Sequence, residues 1–164
     1  MPYPTFFHLP DSKRQRIMRA VWEEFTNYSY MDASINRIIQ SAEISRGSFY
    51  QYFSCKQDLF SYVLNTIYEN GKKMFLAQLT AHNNDLFFAI LGMYDMILWK
   101  KGRASNPEQQ QIQSLMRLNA NLDMCQFAMR LDCESIVRDT SALLQQSGYT
   151  VDTPQECSAL LHSN

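Results

Sequence analysis

One segment, from Ser34 to Lys56, constrains the fold of this 164-residue chain more than any other. Its first half places apolar side chains at i, i+3, i+4 and i+7, namely Ile35, Ile38, Ile39 and Ala42. That spacing puts all four on one face of a short helix. Ser34 stands just ahead of them, where its hydroxyl can accept a hydrogen bond from an unpaired backbone N–H. The segment therefore predicts a short helix that begins after Ser34.

A second helix is predicted to begin at Ser45, a good N-cap residue, and to bury Phe49 and Phe53 at i and i+4. Its other face carries small, hydroxylated, amide or cationic side chains, at Arg46, Gly47, Ser48, Tyr50, Gln51 and Tyr52. Such groups suit phosphate oxygens and base edges better than a core. The two helices therefore predict a helix-turn-helix motif whose second helix fits the major groove of DNA.

Residues 13–59 resemble the DNA-binding domain of the tetracycline-repressor (TetR) family of bacterial transcription regulators. The family signature reads Ala-Gly-Val-Ser-x-Gly-Thr-Leu-Tyr-x-His-Phe-x-x-Lys-x-x-Leu. This chain is identical to it at Ala42, Ser45, Gly47, Tyr50, Phe53, Lys56 and Leu59. In the preceding helix, the family's Ile, Ala and Phe match Ile17, Ala20 and Phe25. The resemblance covers about the first third of the chain and implies a DNA-binding function.

Two glycines of that pattern are replaced here, one in the turn by Glu43 and one at the end of the first helix by Ser29. We expect Glu43 either to adopt a positive φ at some cost or to form a different turn, and Ser29 raises the same question. The fold should be retained in both cases. Tyr52 stands where histidine is usual, and its hydroxyl can still donate to a phosphate.

The resemblance implies a division of roles among the residues of the motif. Phosphate contacts are expected from Ser34, Tyr50, Tyr52 and Lys56, and base contacts from Arg46 and Gly47. Lys56 lies in the first turn of the next helix, which is unfavourable for the helix dipole but favourable for binding a phosphate. Arg37, on the exposed side of the first motif helix, is a further candidate. The alternative is a solvated helix face for Arg37, Arg46, Tyr50, Tyr52 and Lys56, and a helix cap alone for Ser34.

The rest of the chain also reads as helical, because it has no sustained period-2 alternation and only five Gly and five Pro. The first helix should run from Ser12 to Tyr28 and bury Ile17, Ala20, Val21 and Phe25 along one stripe. A long helix should follow a capping box formed by Ser54 and Gln57. Later helices are predicted from Asn83 to Trp99, from Glu108 to Leu122 and from Asp123 to Ser147, with the start of another at Asp152.

We therefore predict an all-α chain with two domains. Residues 1–55 form a three-helix helix-turn-helix DNA-binding head, and a long helix joins it to a helical regulatory body, residues 56–164. The resembled family usually dimerises through two helices near its carboxyl terminus, and only the beginning of the first is expected here. The body is thus expected to be shortened, and dimerisation, which the resemblance implies, is left open by the sequence.

The body is rich in methionine and aromatic residues. The resemblance implies that such a body encloses a small-molecule pocket, for which the candidates are Phe88, Met93, Met96, Trp99, Met116 and Phe127. Thioether and aromatic walls suit an apolar or aromatic effector. The alternative is that these side chains form ordinary core or dimer surface.

Other function classes find little support in the sequence. It shows no Ser/His/Asp set, phosphate-binding glycine loop or close carboxylate pair, so an enzyme is not expected. Its four cysteines are scattered without a CxxC pair or a nearby histidine, so we expect no metal, no cofactor and reduced thiols in a cytoplasm. The first ten residues lack the features of a secretory signal. The longest uncharged apolar run, residues 86–94, is too short to span a bilayer.

Charge is distributed unevenly and agrees with DNA binding at one end. Residues 1–57 hold seven Lys and Arg against five Asp and Glu, whereas residues 58–164 hold eight against eleven. The resemblance implies a cytoplasmic, homodimeric, ligand-responsive repressor that binds double-stranded operator DNA. The alternative is a helical ligand-binding or protein-binding module that no longer binds DNA.

Overall fold

Seven α-helices form the elements of this computed structural model, which describes residues 2–83, 85–98 and 107–122, together with 142 and 145. The helices are Pro4–Phe7 (α1), Asp11–Asn27 (α2), Ile35–Ser41 (α3), Arg46–Tyr52 (α4), Lys56–Ala81 (α5), Leu86–Leu98 (α6) and Pro107–Leu118 (α7). No strand occurs in the described ranges, and the predicted all-α class is confirmed. None of the helices described there is long and apolar enough to cross a membrane.

The chain forms two compact units. The first comprises Met1–Ile67 with Ser105–Ala128, and the second comprises Tyr68–Ala104 with Met129–Asn164. The helix-turn-helix segment thus shares its unit with the start of α5 and with α7. The division of function at residue 55 stays a prediction.

The first unit is held together by one apolar core. The predicted stripe of α2 is buried, with Ile17, Val21 and Phe25 fully inaccessible and Ala20 nearly so. The ring of Phe25 lies 4.9 Å from that of Phe60 on α5. The remaining core side chains come from all parts of the unit: Phe6, Ala33, Ile38, Ala42, Phe49, Tyr52, Phe53, Leu59, Val63 and Leu115.

Helix α7 joins this core by packing on α2. Leu115 is fully buried, and Asn119, just beyond the helix, is 3% exposed. The Asn119 amide donates to the carbonyl of Leu115 at 2.8 Å and accepts from the backbone N–H of Tyr30 at 2.8 Å. The donor and the acceptor of this buried amide are therefore both hydrogen-bonded. The side chain also joins α7 to the segment between α2 and α3.

Two helix starts differ from the predictions and one agrees with them. A short helix, α1, forms where none was predicted. At the start of α5, the backbone N–H of Ser54 donates to the carboxylate of Asp58 at 3.1 Å, so the predicted capping box with Gln57 is wrong and the shorter acid one residue later takes that role. Helix α6 begins as expected, with the N–H of Phe88 donating to Asp85 at 3.1 Å.

The later predicted helices are only partly described. Helix α7 ends at Leu118, before the predicted Leu122. Of the helix predicted from Asp123 to Ser147, residues 142 and 145 are described, and both are helical. The start predicted at Asp152 lies outside the described residues.

Within the second unit, α6 lies close to the end of α5. A Cβ atom on Gly92 would fall 2.3 Å from the side-chain oxygen of Gln78, so glycine permits this approach. The ring of Phe88 stacks on that of His82, with centroids 6.2 Å apart. Gly92 therefore acts as a packing residue here.

Candidate nucleic-acid interface

Helix α4 is the centre of the candidate interface, and local chemistry starts it where the sequence predicts. The Ser45 hydroxyl accepts from the N–H of Ser48 at 3.0 Å and shares a second hydrogen bond of 2.8 Å with the Ser48 hydroxyl. The predicted anchors, Phe49 and Phe53, are both fully buried. The position of the cap and the buried face of α4 are thus confirmed.

A Schellman turn joins α3 to α4. The N–H of Glu43 donates to the carbonyl of Gln40, and the N–H of Ile44 donates to that of Ile39, both at 3.1 Å. Glu43 adopts φ of 51°, the left-handed conformation that glycine takes most easily, and the first of the two expected alternatives is therefore confirmed. Arg16 of α2 donates to the carbonyl of Ala42 at 2.9 Å and supports this turn.

The turn after α2 accommodates Ser29, the second replacement of a glycine, in a different way. Tyr28 ends α2 in an extended conformation, and the Ser29 carbonyl accepts from the N–H groups of Asp32 and Ala33. Ser29 does not adopt a positive φ. A different local turn therefore replaces the usual glycine here.

The outer face of α4 is open to solvent. Arg46, Gly47, Tyr50 and Gln51 are exposed, and the Arg46 guanidinium lies 5.8 Å from the centre of the Tyr50 ring. Arg46 also donates to the side-chain oxygen of Asn36 at 3.2 Å. Asn36 is a member of this surface that sequence reasoning missed, although its polar, outward position in the first turn of α3 was available as a signal.

Gly47 lies in the middle of this face with open space around it. A Cβ atom there would meet only the Ser45 hydroxyl, at 3.9 Å, which is ordinary contact. Packing within the chain therefore does not require glycine at this position. The absent side chain leaves room for another molecule to approach the helix backbone closely.

A depression of about 220 Å³ lies beside this face. It collects residues from three elements, being lined by Ala33, Ser34, Ile35, Asn36, Arg46, Tyr50 and Lys56. Ser34 is the N-cap residue of α3, but its hydroxyl makes no capping bond, so that part of the expectation is wrong. Predicted phosphate-binding residues from α4, from the start of α3 and from α5 are nevertheless brought together.

Lys56 reaches back across the segment between α2 and α3. Its ammonium donates to the carbonyls of Met31 at 3.2 Å and Ala33 at 2.9 Å, and it lies 4.9 Å from the centre of the Tyr30 ring. Burial, with a smaller contribution from the nearby Cys55, raises the pKa of Tyr30 above its ordinary value. Lys56 therefore has a structural role as well as a position at the depression.

Tyr52 lies elsewhere than expected. It is only 5% exposed, and its ring lies 6.2 Å from that of Phe6. Its predicted place on the exposed face of α4 is therefore wrong. The physical reason is that α1 packs on this end of α4. The sequence pattern of α4 alone does not predict that contact.

Arg37 points back towards α2. Its guanidinium donates twice to Glu24, from Nη2 to Oε1 at 2.6 Å and from Nε at 3.0 Å, and it packs on the Tyr28 ring at 4.0 Å. The hydrogen bond to Glu24 is the main cause that raises the pKa of Arg37 above its ordinary value. Glu24 is 6% exposed and also accepts from the N–H of Ser34 at 2.6 Å. The pair thus orients α3 on α2.

The candidate pocket residues of the body are only partly described. In the second unit, Phe88 is 53% exposed and Met93 is half-buried. Met116 belongs to the first unit and is 42% exposed. Trp99, Phe127 and the side chain of Met96 lie outside the described part of the structure. A pocket formed by these residues stays a prediction.

The geometry of the first unit defines a helix-turn-helix domain of the DNA-binding class. Residues 17–63 match the family model of bacterial regulatory proteins of the tetR family. An uncharacterized HTH-type transcriptional regulator of Bacillus subtilis, YdgC, is 26% identical over 141 residues, which cover 75% of this chain and 72% of that protein. A TetR family transcriptional regulator from Chloroflexus aurantiacus is 25% identical, with a TM-score of 0.45 over 87% of this chain and 67% of that one.

The match of residues 17–63 supports the predicted resemblance of this segment to the TetR family of bacterial regulatory proteins. Together the family model and the Bacillus subtilis relative support a helix-turn-helix transcriptional regulator. The match covers the whole helix-turn-helix segment, including the turn in which Glu43 replaces the usual glycine. The matched segment therefore coincides with the motif found in the sequence.

The role of Glu24 can be tested by removing its carboxylate. We expect Glu24→Ala to lower the free energy of unfolding by about 2 kcal/mol, since hydrogen bonds to a charged group are lost at Ser34 and Arg37. The exposed neighbour Glu23 supplies a control. We expect Glu23→Ala to change the free energy of unfolding by no more than about 0.5 kcal/mol. Urea unfolding measures both, and equal values for the two variants would contradict this role.

Proposed function

We propose that this chain is a dimeric, ligand-responsive repressor that acts in the bacterial cytoplasm. In this proposal, α4 of each subunit enters a major groove of operator DNA, with Arg46 and Gly47 facing bases. Ser34, Tyr50 and Lys56 contact phosphates around the depression beside α4. A small apolar or aromatic molecule bound in the body releases the operator.

The open surface at Gly47 is the observation that carries the DNA-reading part of the proposal. Glycine within a helix costs up to about 1 kcal/mol relative to alanine. An alanine side chain would fit in the free protein without a close contact. Packing of the chain on itself thus gives no reason for glycine, whereas the close approach of a nucleic acid to the backbone does.

The surroundings of Gly47 supply the groups that such a ligand needs. Arg46 is cationic and exposed, with a fork of donors that suits the acceptor edge of guanine. Tyr50, 42% exposed, carries a hydroxyl that can donate to a phosphate oxygen. Gln51 and Ser48 extend the polar face on either side. Tyr52 is left out of the proposed interface because its ring lies in the core.

A dimer is part of the proposal because one helix of seven residues offers few base contacts. Helix-turn-helix dimers place two such helices about 34 Å apart, one turn of DNA. Joining two binding sites in one molecule raises affinity without new contacts, since the second binding step becomes intramolecular. The match of residues 17–63 to the tetR family model supports the dimer.

An apolar effector is supported by the composition of the body. From residue 86 to residue 94 the sequence contains no charged side chain. In α6, Phe88 stacks on His82, and Met93 is half-buried. Aromatic and thioether groups adapt to apolar ligands of irregular shape.

Gly47→Ala separates DNA binding from stability. We expect the free energy of unfolding to rise by up to about 1 kcal/mol because alanine is the better helix former. Affinity for a duplex selected by the wild-type protein from random-sequence DNA should fall roughly tenfold or more, because the added methyl group blocks close approach. Gly71→Ala is the matched control, since nothing lies within 4 Å of its added Cβ atom. Unchanged affinity in Gly47→Ala would contradict the proposed interface.

Base contacts and phosphate contacts predict different mutant behaviour. Arg46→Ala should relax base preference at one operator position, with a cost of about 1–3 kcal/mol for the preferred base. Lys56→Ala should weaken binding to all sequences and reduce the salt slope by about 1. Lys73→Ala changes an exposed lysine further along the same helix and should do neither. Fluorescence anisotropy at several salt concentrations, with single-base operator variants, measures these effects. An Arg46→Ala protein that keeps its base preference would remove that residue from the reading surface.

The effector proposal is tested by release of the selected duplex. A panel of small aromatic and aliphatic compounds is titrated into the protein–DNA complex. At least one apolar compound should weaken DNA binding, and by linkage the DNA should weaken binding of that compound by the same factor. Calorimetric titrations with and without DNA measure the second effect, and sedimentation equilibrium reports the dimer. A monomeric protein, or release by charged compounds alone, would contradict this part of the proposal.

A further inference from the structure

The amino-terminal segment packs against the carboxyl end of α4, although it lies outside the family match, which begins at residue 17. The proposed DNA contacts do not involve it. We call residues 3–7 the amino-terminal brace. Its contacts with α4 comprise one backbone hydrogen bond, one side-chain hydroxyl and one buried ring.

The hydrogen bonds of the brace satisfy carbonyls at the end of α4. The last carbonyls of any helix lack partners within the helix. Here the hydroxyl of Thr5 donates to the carbonyl of Gln51, and the N–H of Tyr3 donates to that of Tyr52 at 2.8 Å. Both partners lie more than forty positions away along the chain. The brace thus supplies hydrogen-bond donors to carbonyls at the end of α4.

A buried ring completes the contact. Phe6 is fully inaccessible and lies 4.9 Å from the ring of Phe53 and 6.2 Å from that of Tyr52. Its ring is also 5.7 Å from that of Tyr62 on α5. Phe6 therefore links the end of α4 to the helix that follows it.

The brace is itself anchored to α2. Arg14 donates to the carbonyl of Phe7 at 3.1 Å and forms a salt bridge of 2.5 Å with Asp11. A helix as short as α4 is unstable in isolation, so its position depends on such tertiary contacts. The brace holds one end of α4, as the Schellman turn holds the other.

We propose that Thr5 and Phe6 are positioning residues for operator recognition, which act by holding α4 and make no contact with DNA. The first ten residues contain no lysine or arginine, so the segment brings no cationic side chain to neutralise phosphate. Hydrogen bonds to base edges weaken steeply when their geometry is lost. A loosened end of α4 should therefore lower affinity without changing the number of phosphate contacts. The inference rests on α4 being the DNA-reading helix.

The test uses matched variants of the full chain. Thr5→Val removes the hydroxyl, and Thr5→Ser keeps it. Phe6→Leu reduces the buried ring, and Phe7→Leu makes the same change at an adjacent residue that is 48% exposed. For each variant, affinity for the selected duplex is measured at several salt concentrations, and hydrogen exchange is followed by NMR at the amides of residues 49–53 and of α2.

We expect Thr5→Val to bind the selected duplex about threefold more weakly and Phe6→Leu roughly tenfold more weakly. Their salt slopes should match that of the wild type, and Thr5→Ser and Phe7→Leu should bind as the wild type does. Amides of residues 49–53 should exchange faster in the two weakened variants while those of α2 keep their protection.

Four results would overturn the inference. The first is a reduced salt slope, which would mean that contacts between cationic side chains and phosphates are lost. The second is uniformly faster exchange, which would mean general destabilisation. The third is an equal loss of affinity in Phe6→Leu and Phe7→Leu, and the fourth is unchanged affinity. If the wild-type protein selects no DNA sequence, the proposed function fails instead. The exchange measurement then still tests whether the brace holds α4, because it requires no DNA.

Discussion

The buried carboxylate of Glu24 is the interaction on which the DNA-binding domain depends. A carboxylate that is 6% exposed is tolerated only with charged or hydrogen-bonding partners, and Glu24 receives them from the Arg37 guanidinium and the backbone N–H of Ser34. Both partners belong to the start of α3. Since α3 continues through a tight turn into α4, the orientation of α4 relative to α2 follows from this one group.

Helix α4 is supported at both ends and along its side by contacts from outside itself. Arg16 holds the turn before it, and the amino-terminal segment covers the end after it. Beside it, Lys56 binds the carbonyls of Met31 and Ala33. The segment that carries these carbonyls is joined to α7 through Asn119. The position of α4 is therefore fixed by contacts from several other parts of the first unit.

The helical class, the motif and the buried face of α4 could be predicted because they follow from local patterns. A spacing of three and four residues identified the stripe of α2 and the anchors Phe49 and Phe53, all of which are buried. Ser45 caps α4 because a hydroxyl at that place finds its partner three residues away. The positive φ of Glu43 was one of the two expected outcomes, because glutamate stands there in place of the turn glycine.

The sequence by itself determined where the helices of the motif lie and that Arg46, Tyr50 and Gln51 face outward on α4, since each of these depends on neighbours within about one helical turn. Only the tertiary structure decided that Tyr52 is covered by α1, that Arg37 is turned towards Glu24, and that α7 packs on α2. The physical reason is the same in each case. The partner lies many residues away along the chain, and helical periodicity specifies a face to be buried without specifying what buries it.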